Sequence, residues 1–458
     1  MNKTKTRQQL ETEFLERYAV VAERNNLFDQ TYFEKFNVKR GLRNADGSGV
    51  VVGLTEIGEV HGYVIDEGEK SDARGRLRYR GYDVKDLVSG FQKEHRFGFE
   101  ETAFLLLFGT LPKKAELEDF SAFLGSLRTL PAGFVEDVIL RFPSPDIMNQ
   151  LARSVLFTYS FDANPEDYSI KNILRQSVEL ISRFPSYIAY SYQAKRHYYD
   201  KKSLNIHHPQ PELSTAENFL YMVRPDNHFT PLEAEILDLA LVLHAEHGGG
   251  NNSTFSIRLV SSAGTDTYSA MGSAIGSLKG IKHGGANIKV MKMVDDIKAN
   301  CPHWDDADAL AEYLSRIVRK ETFDRQGLIY GMGHAVYTLS DPRAELLKAK
   351  AKELAAEKGL TKAFELYENI ERLTPEVMYQ VKGHTKALCA NVDLYSGFVY
   401  EMLNIPRELY TPIFAMARVA GWSAHRIEEI VSGGKIIRPA YKNVSEKYEY
   451  VEVEARGN

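Results

Sequence analysis

Apolar residues recur at spacings of three and four along most of this chain, and strand signals are few. That pattern predicts helices nearly everywhere. The run Glu100–Phe108 predicts a buried helix ended by Gly109. Pro112 sits where a second helix starts, and Leu117, Phe120 and Leu124 give it an apolar stripe, so the two form a helical hairpin. Asp341 suits an N-cap and Pro342 the first helical position. Ala344, Leu347, Ala351, Leu354 and Ala355 line one face of the helix that follows, and Gly359 ends it. Short β signals occur at Val50–Val52 and Leu77–Tyr79, with a turn at Asp66-Glu67-Gly68 between them. The expected fold class is therefore all-α, with a small β feature near residues 50–80. The first 35 residues read as a charged helical arm, 196–215 and 301–308 as polar loops, and the C-terminal stretch as extended. No internal repeat of 20–50 residues points to a solenoid.

Composition narrows the function classes. At 458 residues and 43% hydrophobic, the chain has the material for a large core, which excludes disorder over most of its length. A net charge of −5 lacks the basic surplus of a general nucleic-acid binder. No apolar run approaches the roughly 18–20 residues of a membrane span, and the N-terminal stretch lacks the apolar core of a secretory signal. These readings lead to the expectation of a cytoplasmic protein with no membrane and no nucleic-acid partner. Two cysteines, Cys301 and Cys389, support no disulfide framework and read as structural.

Glycine and histidine concentrate between residues 244 and 335. The first stretch is His244-Ala245-Glu246-His247-Gly248-Gly249-Gly250. The second is Lys282-His283-Gly284-Gly285-Ala286-Asn287, and the third Tyr330-Gly331-Met332-Gly333-His334. Each sets a histidine beside glycines, where backbone approaches a ligand closely. His244 and His247 share a helix-face spacing that suits a metal, but H-E-x-x-H, paired C-x-x-C and dense carboxylate clusters are absent, so no metal site is expected. The P-loop, the dinucleotide fingerprint and the serine-hydrolase elbow are also absent. Asp393, in Asn391-Val392-Asp393-Leu394-Tyr395-Ser396-Gly397, reads either as a buried cap or as a general base. Arg418 has apolar neighbours on both sides, so it needs an internal carboxylate or an anionic ligand. Arg343 and Arg438 also stand in compact settings.

Taken together, the ordered series His247, His283, His334, Arg343, Asp393, Arg418 and Arg438 resembles the citrate synthase family, which includes the 2-methylcitrate synthases. Gly75–Asp83 and Phe99–Gly109 look like its scaffold segments, and the resemblance covers about residues 40–440. Three places depart from the common pattern: Ile281-Lys282 stands where Pro-Leu is more frequent, Ala335 stands where many members carry Arg, and Ser144-Pro145-Asp146-Ile147-Met148 lacks a histidine that many members carry. The resemblance implies a two-domain helical fold with a large domain (1–283 and 396–458), a small domain (284–395) and a cleft between them. It implies condensation of acetyl-CoA, or of propionyl-CoA, with oxaloacetate. In that scheme His283 holds the thioester oxygen, His334 is the acid on the oxaloacetate side, and Asp393 is the base. His247, Arg343, Arg418 and Arg438 hold carboxylates, with Arg438 reaching the other subunit of a homodimer. Lys282, Gly331, Gly333 and Lys386 fall on the coenzyme A side; coenzyme A is a substrate carrier, and no tightly bound cofactor is implied. A non-catalytic helical scaffold of the same fold is the alternative of another class.

Overall fold

The computed structural model describes residues 6–44, 48–66, 69–383 and 386–456. Its contacts divide the chain at Gly53, into Met1–Gly53 and Leu54–Asn458. In the first unit Thr6 caps the helix Arg7–Asn25, and the short helix Tyr32–Lys35 follows, which agrees with the expected charged helical arm. The described side chains of the long helix are almost all exposed.

Within Leu54–Asn458 the β feature is a hairpin. Strand β1 (Gly58–Asp66) pairs antiparallel with β2 (Glu69–Tyr79), Gly58 opposite Tyr79 and Val60 opposite Leu77. The two-residue β3 (Tyr82–Asp83) closes on β2. The expected strand at Val50–Val52 does not form. Val51 and Val52 are exposed, and β-branched residues alone do not make a strand without a partner and a face to bury. The partner of Leu77–Tyr79 is instead the segment after buried Ile57. Of the expected turn, Glu67 and Gly68 lie outside the described residues.

This hairpin bears on the site through two close approaches. A Cβ at Gly62 would lie 2.5 Å from the carbonyl oxygen of Val336, and one at Gly75 would lie 2.1 Å from that of Ser340. Backbone thus meets backbone just after His334, which only glycine permits. The Gly75 N–H donates to Ser340 Oγ (3.2 Å), and Thr338 Oγ1 donates to the Gly62 carbonyl (3.4 Å).

The rest is helical. Phe99–Phe108 ends at left-handed Gly109, and Phe104 meets Phe120 of Lys114–Leu127 edge-on at 5.5 Å, forming the expected hairpin. Lys113, one residue past Pro112, is the N-cap, and its N–H donates to the Glu116 carboxylate. Asp341 caps Pro342–Glu357, whose Leu347, Ala351, Leu354 and Ala355 are buried. The loop expected at 301–308 is shorter than read, because Asp306 caps a helix that starts at Ala307. Residues 434–452 are extended and mostly exposed.

Two core helices set the floor of the site. Pro231–His244 is buried from Ile236 to its end, and Tyr410–Val431 is buried from Tyr410 to Arg426, apart from Phe414. Burying a Leu or Ile contributes roughly 1.5–3 kcal/mol, while burying an ion costs several. A handful of such side chains per helix therefore offsets the burial of Arg418 within it.

Candidate active site

The third glycine-histidine stretch is stitched to the segment before Asp393. Gly331 and Gly333 have φ of 83° and 87°, a region that side-chain-bearing residues avoid. That geometry lets Met332 pair with Ala390, the Gly333 N–H donate to the Cys389 carbonyl (2.8 Å), and the Asn391 N–H donate to the Gly331 carbonyl (2.9 Å). Asn391 also caps the helix Val392–Met402, its Oδ1 accepting from the Asp393 N–H at 3.0 Å. Asp393 thus sits in the first turn of a helix, where the dipole favours a carboxylate. Burial nevertheless pushes its pKa up to about 6; Arg343 and Arg418 oppose the rise, and Asp341 adds to it.

His334 has a defined tautomer. The N–H groups of Val336 and Tyr337 both donate to its Nδ1 (3.0 and 3.1 Å), so in the neutral ring Nε2 carries the proton. The ring stacks on Tyr337 (4.6 Å, 27°), and His247 stands edge-on to it at 5.2 Å.

Two arginines complete the cluster. Arg343 is buried and makes a fork onto Asp341, Nε to Oδ1 at 3.0 Å and Nη2 to Oδ2 at 2.7 Å, with its guanidinium 5.8 Å from the centre of the Tyr337 ring. Burial works against its charge, but Asp341 outweighs burial and holds its pKa above the usual arginine value. Burial draws Arg418 down to about 10, against the pull of Glu246. Its Nε donates to the His244 carbonyl (3.1 Å), and its guanidinium lies 5.3 Å from the Phe414 ring centre. His244, once a metal candidate, stacks on Phe414 at 3.6 Å and meets Tyr400 Oη at 3.0 Å, a packed setting. Among the described residues no group of three or more His, Cys, Asp or Glu side chains is set to hold a metal.

Burial and these charges keep the His247 and His283 imidazoles neutral. Burial, then Arg343, His334 and Arg418, hold His247 well below its ordinary pKa. Burial and Arg418 bring His283 to about 4. Nε2 of His247, Nε2 of His283 and both amide atoms of Asn287 are shut off from solvent without a partner. Each such group costs about 1–3 kcal/mol. Unpaired imidazole nitrogens near the arginines suit a small anion and a reacting carbonyl.

The other expected site residues lie differently. Lys282 and Lys386 are exposed. Gly331 and Gly333 serve the stitching above. Arg438 is exposed on the extended segment after Val431, where the Ile437 N–H holds Ser262 Oγ at 3.0 Å, and it makes no hydrogen bond, ion pair or ring contact with the cluster among the described residues. The Cys389 thiol is pushed up to about 12 by burial and Asp341, which suits a structural role. The sequence marks Asp341 only as a cap and gives no role to Tyr337 or to the Asn391 side chain. The available signals were short spacings: Asp341 two residues before Arg343, Tyr337 three after His334, and Asn391 two before Asp393.

A family model described as "Citrate synthase, C-terminal domain" matches residues 45–440. The citrate synthase of Haloferax volcanii is 35% identical over 415 residues, which cover 90% of this chain and 96% of that one. The 2-methylcitrate synthase of Shewanella oneidensis is 33% identical, covering 80% and 84%. Among solved structures, citrate synthase from Thermotoga maritima superposes with a TM-score of 0.70 at 30% identity, over 90% of this chain and 98% of that one. The Thermoplasma acidophilum enzyme, solved as a ternary complex with carboxymethyl coenzyme A and oxaloacetate, gives 0.72 at 25%, over 91% and 99%. With this helical fold and this coverage, the chain belongs to the citrate synthase family of acyl-transferring condensing enzymes.

Proposed function

We propose that this chain joins the methyl carbon of acetyl-CoA to the ketone carbon of oxaloacetate and then hydrolyses the thioester, giving citrate and free coenzyme A. The observation that carries the reading is the coupling of Asp393, a carboxylate at about 6, to His334, a ring set as an Nε2–H donor. Asp393 takes a methyl proton, and the C–H electron pair moves into an enolate. His283, neutral at physiological pH, donates to the thioester oxygen as that charge develops. The enolate carbon attacks the ketone, whose oxygen takes the His334 proton. Water then attacks the thioester carbonyl, and the thiol leaves protonated.

Oxaloacetate carries two carboxylates, which arginine forks bind better than lysines. Arg343, held in place by Asp341, and Arg418 supply two cations, and His247 a further contact. In this reading Arg438 comes from a neighbouring subunit. Leu156, Phe157 and Leu259 are apolar and exposed, as a homodimer contact requires. Lys282 and Lys386 meet the coenzyme A phosphates, with Gly331 and Gly333 shaping the wall beside them. Residues 284–395 close as a lobe against 1–283 and 396–458 when oxaloacetate binds, which keeps water out until the carbon–carbon bond exists. The setting is cytoplasmic, where the free thiols Cys301 and Cys389 stay reduced.

Propionyl-CoA is the second reading, favoured by the 2-methylcitrate synthases of Shewanella oneidensis and Corynebacterium glutamicum among the relatives. One methylene changes discrimination by only about 1–3 kcal/mol. Thiol release with acetyl-CoA and propionyl-CoA in parallel separates the two through the ratio of kcat/KM values.

A further inference from the structure

Behind His247 runs a chain of buried polar and charged groups that the proposed chemistry does not use. Glu246 and His425 are fully buried, and Arg258 is nearly so. Arg258 Nη1 donates to Glu429 Oε2 at 2.9 Å, Arg258 Nη2 contacts Glu428, and Arg258 Nε donates to His425 Nδ1 at 3.0 Å. A guanidinium donor aimed at Nδ1 forbids a proton there, so His425 is the Nε2–H tautomer. Its Nε2 stands 3.0 Å from Glu246 Oε1, in a contact bent away from ideal hydrogen-bond geometry. The same Oε1 accepts from the Gly248 N–H at 2.5 Å, across the turn that carries His247. Glu246 Oε2 is buried without a partner.

The fold makes room for this carboxylate. A Cβ at Gly421 would fall 2.6 Å from Glu246 Oε2, and one at Gly58 would fall 2.7 Å from Oε1. A buried anion is costly unless something needs it. Two things here do. Arg418 lies one turn before Gly421 and feels Glu246 as its main stabilising charge. His247 hangs from the peptide that Glu246 tethers.

We propose that Glu246 and His425 are positioning residues for oxaloacetate. Arg258 sets His425, His425 sets Glu246, and Glu246 fixes the His247 turn while balancing Arg418. The inference rests on the oxaloacetate reading above. It assigns neither residue to the acyl-CoA side: among the described contacts His283 makes no hydrogen bond or ion pair with Glu246, His425 or Arg258.

The test compares purified His425→Ala, His425→Asn and His425→Gln with the unaltered protein. Glutamine places an amide N–H near the position of Nε2, whereas asparagine stops one bond short. His425→Ala is expected to raise the oxaloacetate KM about tenfold, with kcat and the acetyl-CoA KM within about twofold, and His425→Gln to restore it. Where alanine prevents folding, His425→Asn takes its place as the broken variant. An unchanged oxaloacetate KM in a folded Ala or Asn variant would overturn the proposal, as would a Gln variant no better than Asn, or kcat and both KM values worsening together. Calorimetric titration of oxaloacetate runs alongside. If the unaltered protein releases no thiol, the reaction reading fails, while equal oxaloacetate affinity of unaltered and broken variants overturns the positioning role.

Discussion

Asn391 donates its side-chain amide to the carbonyl of Gly333 at 2.8 Å, one residue before His334, while its carbonyl oxygen holds the N–H of Asp393. One carboxamide therefore joins the acid-side histidine to the proposed base. Replacing it with alanine removes an N-cap, worth about 0.5–2 kcal/mol, and a hydrogen bond worth about 0.5–1.5 kcal/mol. Asn391→Ala is expected to lower the melting temperature by several degrees and kcat by about tenfold or more. Steady-state kinetics beside a thermal melt check this; an unchanged kcat would show that the two residues do not need the bridge.

Asp393 has a pKa of about 6 in the folded chain against an ordinary value of 3.8. The proposed base works only when ionised, so kcat/KM should rise with pH through about 6. Stability should move the other way. Between pH 4 and 6 the folded state binds more protons than the unfolded one, so this group's contribution falls as pH rises. Asp393→Asn is expected to cut turnover by 10²–10⁴-fold or more and to stabilise the protein above pH 6 by up to about 3 kcal/mol. Urea melts at pH 5 and pH 8 measure the second effect.

Arg418 is fully buried, and Glu246 is the first of the charges that support it. A charge-assisted hydrogen bond is worth about 1.5–3 kcal/mol. Arg418→Ala should therefore weaken oxaloacetate binding by roughly 10- to 150-fold, and lysine should not rescue it, because an ammonium lacks the planar fork. Equal oxaloacetate affinity in Arg418→Lys and the unaltered protein, by calorimetry, would remove Arg418 from the dicarboxylate site.

Gly331 combines a φ of 83° with a close wall: an added Cβ would lie 2.9 Å from the backbone Cα of Leu394. Gly331→Ala should cost at least about 1–2 kcal/mol from backbone strain alone. It should also push the Asp393 helix away from His334. A melt lowered by several degrees together with a falling kcat is expected; a full kcat would mean that the helix position is not critical.

Much of the fold was legible because its signals are local. Gly109 ending a helix, and Asp341-Pro342 starting one, need only neighbours within a turn. Val50–Val52 misled because β propensity counts only where a partner strand and a buried face exist, and those belong to Gly58–Val60. His247, His334, Arg343, Arg418 and Asp393, far apart in the chain, lie near one another in the fold. The Asp341 fork escaped notice because one carboxylate does two jobs, capping a helix and fixing Arg343. The pairing of Glu246 with His425 left no trace in spacing, since it links distant segments through packing. Arg438 stands exposed, and its proposed role belongs to an assembly rather than to one chain.

The most direct measurement is release of the coenzyme A thiol by the purified protein, with acetyl-CoA or propionyl-CoA, in the presence and absence of oxaloacetate. The account predicts release that requires oxaloacetate, is abolished in Asp393→Asn, and is faster with acetyl-CoA. Release that ignores oxaloacetate, or none with either acyl-CoA from a folded protein, would contradict it.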